Sequence, residues 1–478
     1  MKMTKRYELV PPDGGWGYVI WIAVIINTVA IASFVTCIGM MYNELYILLG
    51  MGSTSITVLN GVSSMSVSIA GFVTGPLLNC MSMRQLGLLA AIVFNLGSFM
   101  IAFVNSRVLF FISFGIFQSL GNGILFNISF SILNVYFVKK RMLSVTVTQT
   151  VTGIVTLFSS QFVKWFTEEY GYRGNLILIS AIYMHVFVAI ALMQPVEWHM
   201  KKIEVSEDKE TEMKSLLSYK DGTKDKSNIP AVTISDPEST PVVTLDSKDL
   251  MNLDLKDDSK KESEFKKIFK DFYDVAFLKS FLLSNASIGM AVSCFSEVTF
   301  LFMLPQALYF MEWNEGEVAW AISLYNFGDL VTKVIFIFFN NFLLKFGTHE
   351  IYVAGLIVAF LSRLGMLWSD NPTVMLVFIA IIGTSRCVIL MYIPLVISDA
   401  VDKEKFTTAT GIFMMIYGVL FLSLGPVIGA IRDLTNSYGT AFYIITSCYG
   451  IVIMFWSIEL LYKKNKHKRK PKKVESAL

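Results

Sequence analysis

Twelve apolar runs, six on each side of one long polar stretch, constrain the fold of this chain more than any other feature. Each run is close to the roughly 20 residues that a helix needs to cross a bilayer. Hydrophobic residues make up 54% of the chain and charged residues 16%, and the mean hydropathy of +0.58 is too high for a water-soluble protein of this length. The sequence therefore predicts an all-α integral membrane protein with twelve transmembrane helices.

The predicted spans divide into two six-helix lobes. The first six spans cover Tyr18–Met40, Ile56–Leu78, Leu86–Val104, Leu109–Asn134, Leu143–Phe166 and Asn175–Met193. The second six cover Leu282–Leu304, Val318–Phe339, Ile351–Trp368, Val374–Ile397, Thr408–Ala430 and Ala441–Leu461. This predicts lobes over residues 18–195 and 278–462, with an N-terminal segment over 1–17, a linker over 196–277 and a basic tail over 463–478.

The stretch over residues 196–277 is polar, mixes Lys, Glu, Asp, Ser and Thr, and has few aromatic residues before Phe265. Such a segment cannot bury enough apolar surface to offset the entropy lost on ordering, so we expect a mostly disordered linker. Its last part, Phe265–Phe277, has apolar residues at helical intervals, which is typical of a helix lying on the membrane surface.

Lysine and arginine accumulate in alternate connections between the spans. They include Lys2, Lys5, Arg6, Lys139, Lys140, Arg141, Lys345, Lys403 and Lys405. Because positively charged flanks stay on the cytoplasmic side, we expect both termini and the linker there, in a multi-pass membrane protein. The net charge is only +3, and the basic residues sit at these connections, which argues against nucleic-acid binding.

A heptapeptide directly before the first span carries a finer signal. This N-terminal motif reads Pro11-Pro12-Asp13-Gly14-Gly15-Trp16-Gly17. Its glycines permit a tight turn, and its tryptophan ring suits the headgroup level of a bilayer. Three further segments accompany the motif, namely Tyr136-Phe137 through Arg141, Asp399–Gly411, and Gly425-Pro426-Val427-Ile428-Gly429 followed by Arg432-Asp433.

Together these segments resemble the monocarboxylate transporter family (solute carrier family 16) of the major facilitator superfamily, over nearly the whole chain except the linker and tail. The resemblance implies the major facilitator fold, in which a central cavity opens alternately to either side as the two lobes rock. It implies secondary transport of small monocarboxylates or related carboxylate-bearing metabolites, with no cofactor. It also gives Asp13, Gly14, Gly15, Trp16 and Arg141 structural and conformational roles.

Asp329 and Lys333 are the charges that most suggest a transport site. An ionisable side chain at membrane depth is costly and usually faces a cavity or a partner, and the i,i+4 spacing puts these two on one helix face. One interpretation is a structural salt bridge. The resemblance favours the other, because the family has an aspartate and usually an arginine here, with the cation holding the substrate carboxylate and the aspartate exchanging charge or a proton.

Two positions depart from the family pattern. Lysine at 333 offers a point charge, whereas arginine would offer a planar fork for a carboxylate. Counting from the N-terminal motif, Thr36 stands where proton-coupled lactate carriers of the family have a lysine. Proton coupling is therefore left open.

Arg386 in the tenth span is a further departure, because similar lactate carriers have a cavity-lining aromatic residue there. Two interpretations carry equal weight. Arg386 binds the anion, or it pairs with Glu297 of the seventh span or with Asp329. Arg363 is nearer the end of its helix, and we expect it to extend its side chain toward the interface.

Enzymatic and ATP-driven functions find no support in the motifs. The chain has no Gly-x-x-x-x-Gly-Lys-Ser/Thr loop, and its four histidines, His185, His199, His349 and His467, form no His-Glu-x-x-His motif. We therefore predict neither an enzyme nor a metal or cofactor site. The alternative from another class is a membrane sensor or receptor that retains the carrier fold without moving solute, and saturable flux would distinguish the two.

Three partner predictions follow. The resemblance implies a single-span, immunoglobulin-like ancillary glycoprotein. The glycosylation sequons at Asn127 and Asn285 fall inside spans, so we expect this chain to carry no N-glycan of its own, which is compatible with such a partner. The C-terminal Ser476-Ala477-Leu478 fits addition to the edge of a PDZ domain. The basic tail before it suits contact with anionic membrane lipid.

Overall fold

The structure is a computed structural model that describes residues 7–10, 14–137, 140–204, 281–282, 284–339, 347–401 and 406–468. Asp13, the predicted surface helix Phe265–Phe277 and the C-terminal Ser476-Ala477-Leu478 lie outside these ranges.

The first six spans lie in a series of helices. Span 1 comprises Trp16–Ala32, a 3₁₀ turn at Val35–Cys37 and Ile38–Met41, and a short helix Asn43–Leu48 follows. Spans 2 and 3 are Ser53–Cys80 and Met83–Ile101. Span 4 comprises Arg107–Phe110, a π-helical stretch Phe111–Gln118 and Ser119–Tyr136. Spans 5 and 6 come from Arg141–Tyr183 and His185–Leu192.

A turn at Gly171 divides the helical run of spans 5 and 6. The apolar run Leu143–Leu192 has 50 residues, or about 75 Å of helix, which is far more than one bilayer requires. Gly171 interrupts it with φ 67° and ψ 174°, a conformation that glycine adopts because it has no Cβ. The Asn175 amide then donates back to the Thr167 hydroxyl at 3.0 Å across this turn. The run therefore supplies two crossings.

The second six spans begin with a π-helical stretch, Asn285–Gly289, that leads into Met290–Phe310 as span 7. Glu315–Phe338 contains span 8, and Thr348–Trp368 is span 9. Span 10 comprises Pro372–Met391 and Ile393–Ala400, and spans 11 and 12 are Phe406–Thr435 and Tyr438–Lys468.

The predicted number of spans is confirmed. Ten helical stretches in the described residues are long and apolar enough to cross a membrane. The 50-residue run supplies one additional crossing, and Glu315–Phe338, whose interior holds Asp329 and Lys333, supplies the twelfth.

Both ends of each lobe lie on the same side of the bundle. Strand β1, Tyr7–Val10, pairs antiparallel with β2, Lys201–Glu204, and thereby joins the start of span 1 to the end of span 6. In the second lobe, the Asn285 amide at the start of span 7 donates to Glu459 of span 12 at 2.6 Å. We call this side the near face and the opposite side the far face.

The β1–β2 ribbon and a 3₁₀ turn at Val196–Trp198 extend the ordered structure past the predicted lobe boundary at residue 195. The strand forms because β1 offers its backbone as a partner, a pairing that composition alone does not reveal. The N-terminal motif contributes to the same corner, where Gly15 turns the chain with φ 58° and the Trp16 ring stacks on His199 at 5.1 Å.

The lobes meet along spans 2 and 11, where small residues let the backbones approach. A Cβ at Gly61 would lie 2.9 Å from the Phe421 carbonyl oxygen, and one at Gly429 would lie 2.6 Å from the Thr54 Cα. These distances are shorter than van der Waals contact, so a side chain would force the helices apart.

Polar contacts between the lobes gather in the far half of the bundle. The Asp433 carboxylate accepts from the backbone N–H groups of Ser53 and Thr54 at 3.0 and 2.8 Å. The Gln306 amide donates to the Gly39 carbonyl at 2.9 Å. The far face is therefore closed in this conformation.

Candidate functional site

One face of span 8 carries Asn326, Asp329 and Lys333, which follow each other at helical intervals of three and four residues. The Asn326 amide donates to the Thr36 hydroxyl at 3.1 Å and to the Thr156 carbonyl at 3.0 Å, both in the first lobe. A Cβ at Gly153 of span 5 would lie 3.9 Å from Lys333 Nζ. This face of span 8 therefore lies on the boundary between the lobes.

Asp329 and Lys333 form an ion pair, as their spacing predicts. The Lys333 Nζ atom donates to Asp329 Oδ2 at 2.7 Å. Their side chains are 11% and 16% exposed respectively, so both are largely buried but reachable. Each charge is therefore compensated within the same helix. An anionic ligand would have to compete with Asp329 in order to bind Lys333.

Thr36 joins this site through Asn326. The residue is 2% exposed and lies in the 3₁₀ turn Val35–Cys37 between the two helices of span 1. Its hydroxyl accepts the Asn326 amide hydrogen that faces it. Thr36 thus contributes a neutral hydrogen-bonding group, and no charge, to the boundary between the lobes beside Asn326.

Arg386 reaches the site from span 10 because spans 8 and 10 cross at two glycines. Gly328 packs against the Ala380 carbonyl, and Gly383 packs against the Tyr325 carbonyl, where no Cβ would fit. One turn beyond this crossing, the Arg386 guanidinium lies over the Tyr325 ring, 5.4 Å from its centre.

Arg386 makes no ion pair with any carboxylate in the described part of the chain. Asp329 interacts with it electrostatically from beyond ion-pair distance. The predicted pairing with Glu297 is wrong, because Glu297 accepts from Arg363 Nη2 at 2.7 Å and both of these side chains are at most 1% exposed.

The expectation for Arg363 is also wrong, since it is wholly buried instead of extending to the interface. Its guanidinium lies between the rings of Phe300 and Tyr449, 4.3 and 4.5 Å from their centres. It also donates to the Ser296 hydroxyl at 3.0 Å. These contacts compensate the guanidinium inside the lobe, so it has no need to reach water.

Two tyrosine hydroxyls complete the surroundings of Glu297. Tyr325 donates to Glu297 Oε1 at 2.6 Å and Tyr449 donates to Oε2 at 2.7 Å. Sequence reasoning missed this buried network. The signal was present in Glu297 itself, because a carboxylate inside a span demands a cation, and Arg363 on a neighbouring span is one candidate.

The remaining named residues lie away from this site. Gly14, Gly15 and Trp16 form the near-face corner, and the helix Arg141–Tyr183 begins at Arg141. Asp13 lies outside the described residues. Gly14, Gly15 and Trp16 thus lie at the near face, where the Trp16 ring contacts His199.

Among the residues that the structure describes, the site holds two cations, Lys333 and Arg386, and one carboxylate, Asp329. Two positive charges and one negative charge leave a net charge of +1, which a monoanion would neutralise. The arrangement lies between two six-helix lobes with one face of the bundle closed, and it defines a membrane carrier.

The family described as "Major Facilitator Superfamily" matches residues 14–284 and 286–478, so the chain belongs to it. The chain is 22% identical to Monocarboxylate transporter 12 of Mus musculus over 96% of its own length and 87% of that protein. It is 25% identical to Monocarboxylate transporter 14 of Homo sapiens over 83% of its length and 82% of that protein.

The fold is shared with a solved structure. A mutant of the nucleoside transporter NupG superposes with a TM-score of 0.61 at 12% identity, over 93% of this chain and 99% of the other. Both predictions are thus confirmed, namely the major facilitator fold and the resemblance to monocarboxylate transporters.

Proposed function

We propose that this protein is a secondary transporter that moves small monocarboxylates, or related carboxylate-bearing metabolites such as amino acids, across the plasma membrane by alternating access. The observation that carries the proposal is the guanidinium of Arg386, which lies beside the Asp329–Lys333 pair and forms no ion pair with the residues that the structure describes. A guanidinium presents its N–H groups in a fork that fits a carboxylate, and burial strengthens that attraction.

The near face is cytoplasmic in this proposal, because the basic connections lie there. With the far face closed, the present conformation receives substrate from the cytoplasm. Rocking of the lobes about spans 2 and 11 and spans 5 and 8 then closes the near face and opens the far face. The hydrogen bonds from Asn326 to Thr36 and Thr156 link the charged face of span 8 to this motion.

The substrate carboxylate binds Arg386 first and then competes with Asp329 for Lys333. Protonation of Asp329 would release Lys333 and ease this competition. Thr36 has no ionisable group, so proton coupling would have to use another residue of the site, and Asp329 is the carboxylate there.

Uptake into cells expressing the chain tests the proposal. The panel is labelled lactate, pyruvate, ketone bodies, aromatic amino acids and creatine, at about pH 6 and about pH 7.5. We expect saturable uptake that falls by about tenfold or more in Arg386→Ala and Lys333→Ala, since a hydrogen bond to a charged group contributes about 1.5–3 kcal/mol. Faster uptake at the lower pH would establish proton coupling.

Arg173→Ala is the matched control, because Arg173 is an exposed arginine whose guanidinium donates to the adjacent Tyr172 hydroxyl at 2.8 Å, away from the site. Its uptake should equal that of the unaltered chain. Surface-expressed protein that moves no compound in the panel would contradict the proposal and favour the sensor function. The ancillary glycoprotein, the PDZ partner and lipid contact by the tail stay predictions.

A further inference from the structure

We propose that Tyr325 is a positioning residue that holds Arg386 in place for the substrate without neutralising its charge. This inference rests on the proposed function, because it assumes that Arg386 binds the substrate carboxylate. It explains why an aromatic ring lies under that guanidinium.

Arg386 has to be fixed in place while it keeps its positive charge. A carboxylate would hold Arg386 firmly, but it would also cancel the charge and occupy the N–H donors that an anion needs. An aromatic face attracts the guanidinium through its quadrupole and leaves the donors at the edge of the fork free. The 5.4 Å separation between Arg386 Cζ and the centre of the Tyr325 ring lies within the range of this attraction.

The Tyr325 ring is itself held in place by neighbouring residues. Tyr325 is fully buried, and its hydroxyl donates to Glu297 at 2.6 Å. Donation to a carboxylate shifts electron density toward the phenol oxygen and ring, which strengthens the attraction for a cation on the ring face. Glu297 is itself anchored by Arg363 at 2.7 Å.

The charges of Arg363 and Glu297 compensate each other. Because Arg363 already balances Glu297, the carboxylate can orient Tyr325 without drawing Arg386 into an ion pair of its own. The order from the core to the lobe boundary is therefore Arg363, Glu297, Tyr325 and Arg386. The ion pair of Arg363 and Glu297 in the core is neutral overall, and Arg386 at the lobe boundary keeps its positive charge.

Two tyrosine variants separate positioning from general stability. Tyr325→Phe and Tyr449→Phe each remove one hydroxyl donor from Glu297, but only Tyr325 lies beneath Arg386. We expect Tyr325→Phe to raise the KM for carboxylate uptake about three- to tenfold with little change in Vmax. Tyr449→Phe should leave KM within about twofold of the value for the unaltered chain. It should lower the melting temperature about as much as Tyr325→Phe does.

Removal of the ring extends the test. Tyr325→Leu should raise KM further than Tyr325→Phe, to a value close to that of Arg386→Ala, and the double variant should be no worse than Arg386→Ala alone. Surface expression is measured for each variant. If Tyr325→Leu does not reach the surface, the comparison of Tyr325→Phe with Tyr449→Phe tests the inference by itself.

Equal KM changes in Tyr325→Phe and Tyr449→Phe would overturn the inference, as would an unchanged KM in Tyr325→Phe alongside a defective Arg386→Ala. Either result leaves the proposed function standing. Absence of saturable uptake by the unaltered chain, in contrast, would refute the proposed function and this inference together.

Discussion

The carboxylate of Asp433 is expected to hold the far face closed, and its removal should open that face measurably. Asp433 in span 11 caps the first turn of span 2 from the opposite lobe. It accepts from Ser53 N at 3.0 Å, from Thr54 N at 2.8 Å and from the Thr54 hydroxyl at 2.7 Å. Gly52 precedes this helix and provides no side-chain cap of its own.

The magnitude follows from the value of a helix cap. Loss of a capping side chain costs about 0.5–2 kcal/mol, and the negative charge at a helix N-terminus adds to the interaction. The Asp433 side chain is 31% exposed, so solvent screens its charge. We therefore expect the free energy lost on removing this carboxylate to lie near the upper end of that range and not above it. A loss of about 1.4 kcal/mol in the closed state changes the ratio of closed to open molecules about tenfold.

Cysteine accessibility measures this ratio. Asn60 of span 2 is 4% exposed and lines a small cavity between spans 2, 7 and 11, so a cysteine there becomes reachable only when the far face opens. The five native cysteines are first replaced by alanine. With Asp433→Ala in this background, a membrane-impermeant maleimide applied from the far side should label Asn60→Cys about tenfold faster.

The control is Thr435→Ala, two residues further along the same helix, where the hydroxyl donates only to the Ile431 carbonyl within span 11. Its labelling rate should match that of the parent. Equal labelling rates in Asp433→Ala and the parent, with both proteins at the surface, would refute the reasoning that this interlobe cap stabilises the closed far face.

Three further predictions concern charge and packing. Burial, followed by the nearby Glu44 and Glu168 carboxylates, raises the pKa of Glu315 ahead of span 8. Its contribution to far-face closure is therefore greatest below its ordinary pKa of 4.5 and is lost as pH rises through the raised value. The ratio of the parent's labelling rate to that of Glu315→Gln, taken at each pH so that the ordinary increase in thiolate cancels, should therefore increase with pH. Arg363→Leu leaves Glu297 buried and unpaired and should destabilise the protein by about 3–5 kcal/mol, measured by unfolding in detergent. Gly383→Ala places a methyl group against the Tyr325 carbonyl and should lower the melting temperature, with Gly439→Ala, whose Cβ would meet only the Ser437 hydroxyl at 3.5 Å, as the control.

Hydropathy was sufficient to predict the spans because each helix must satisfy its own backbone inside the bilayer. This held for Glu315–Phe338 as well, although that helix carries Asp329 and Lys333. The ion pair between Asp329 and Lys333 was predictable because it is local to one helix.

Contacts between distant spans were not predictable from the sequence. Glu297 could pair with Arg363 or Arg386 by chemistry alone, and only the packing of spans 7, 9 and 12 decides for Arg363. Similarly, the crossing of spans 8 and 10 depends on Gly328 and Gly383, which look like ordinary glycines in the sequence. Such choices depend on which helix faces meet, and hydropathy does not specify those faces.

The ribbon of β1 and β2 makes the first lobe a closed circuit, in which the segment before span 1 is fastened to the segment after span 6. The stacking of Trp16 on His199 adds a second fastening at the same corner. A circuit of this kind resists fanning apart of its first and last helices, so the lobe should turn as one body. A fluorophore attached ahead of Tyr7 would therefore report the rotation of six helices at once.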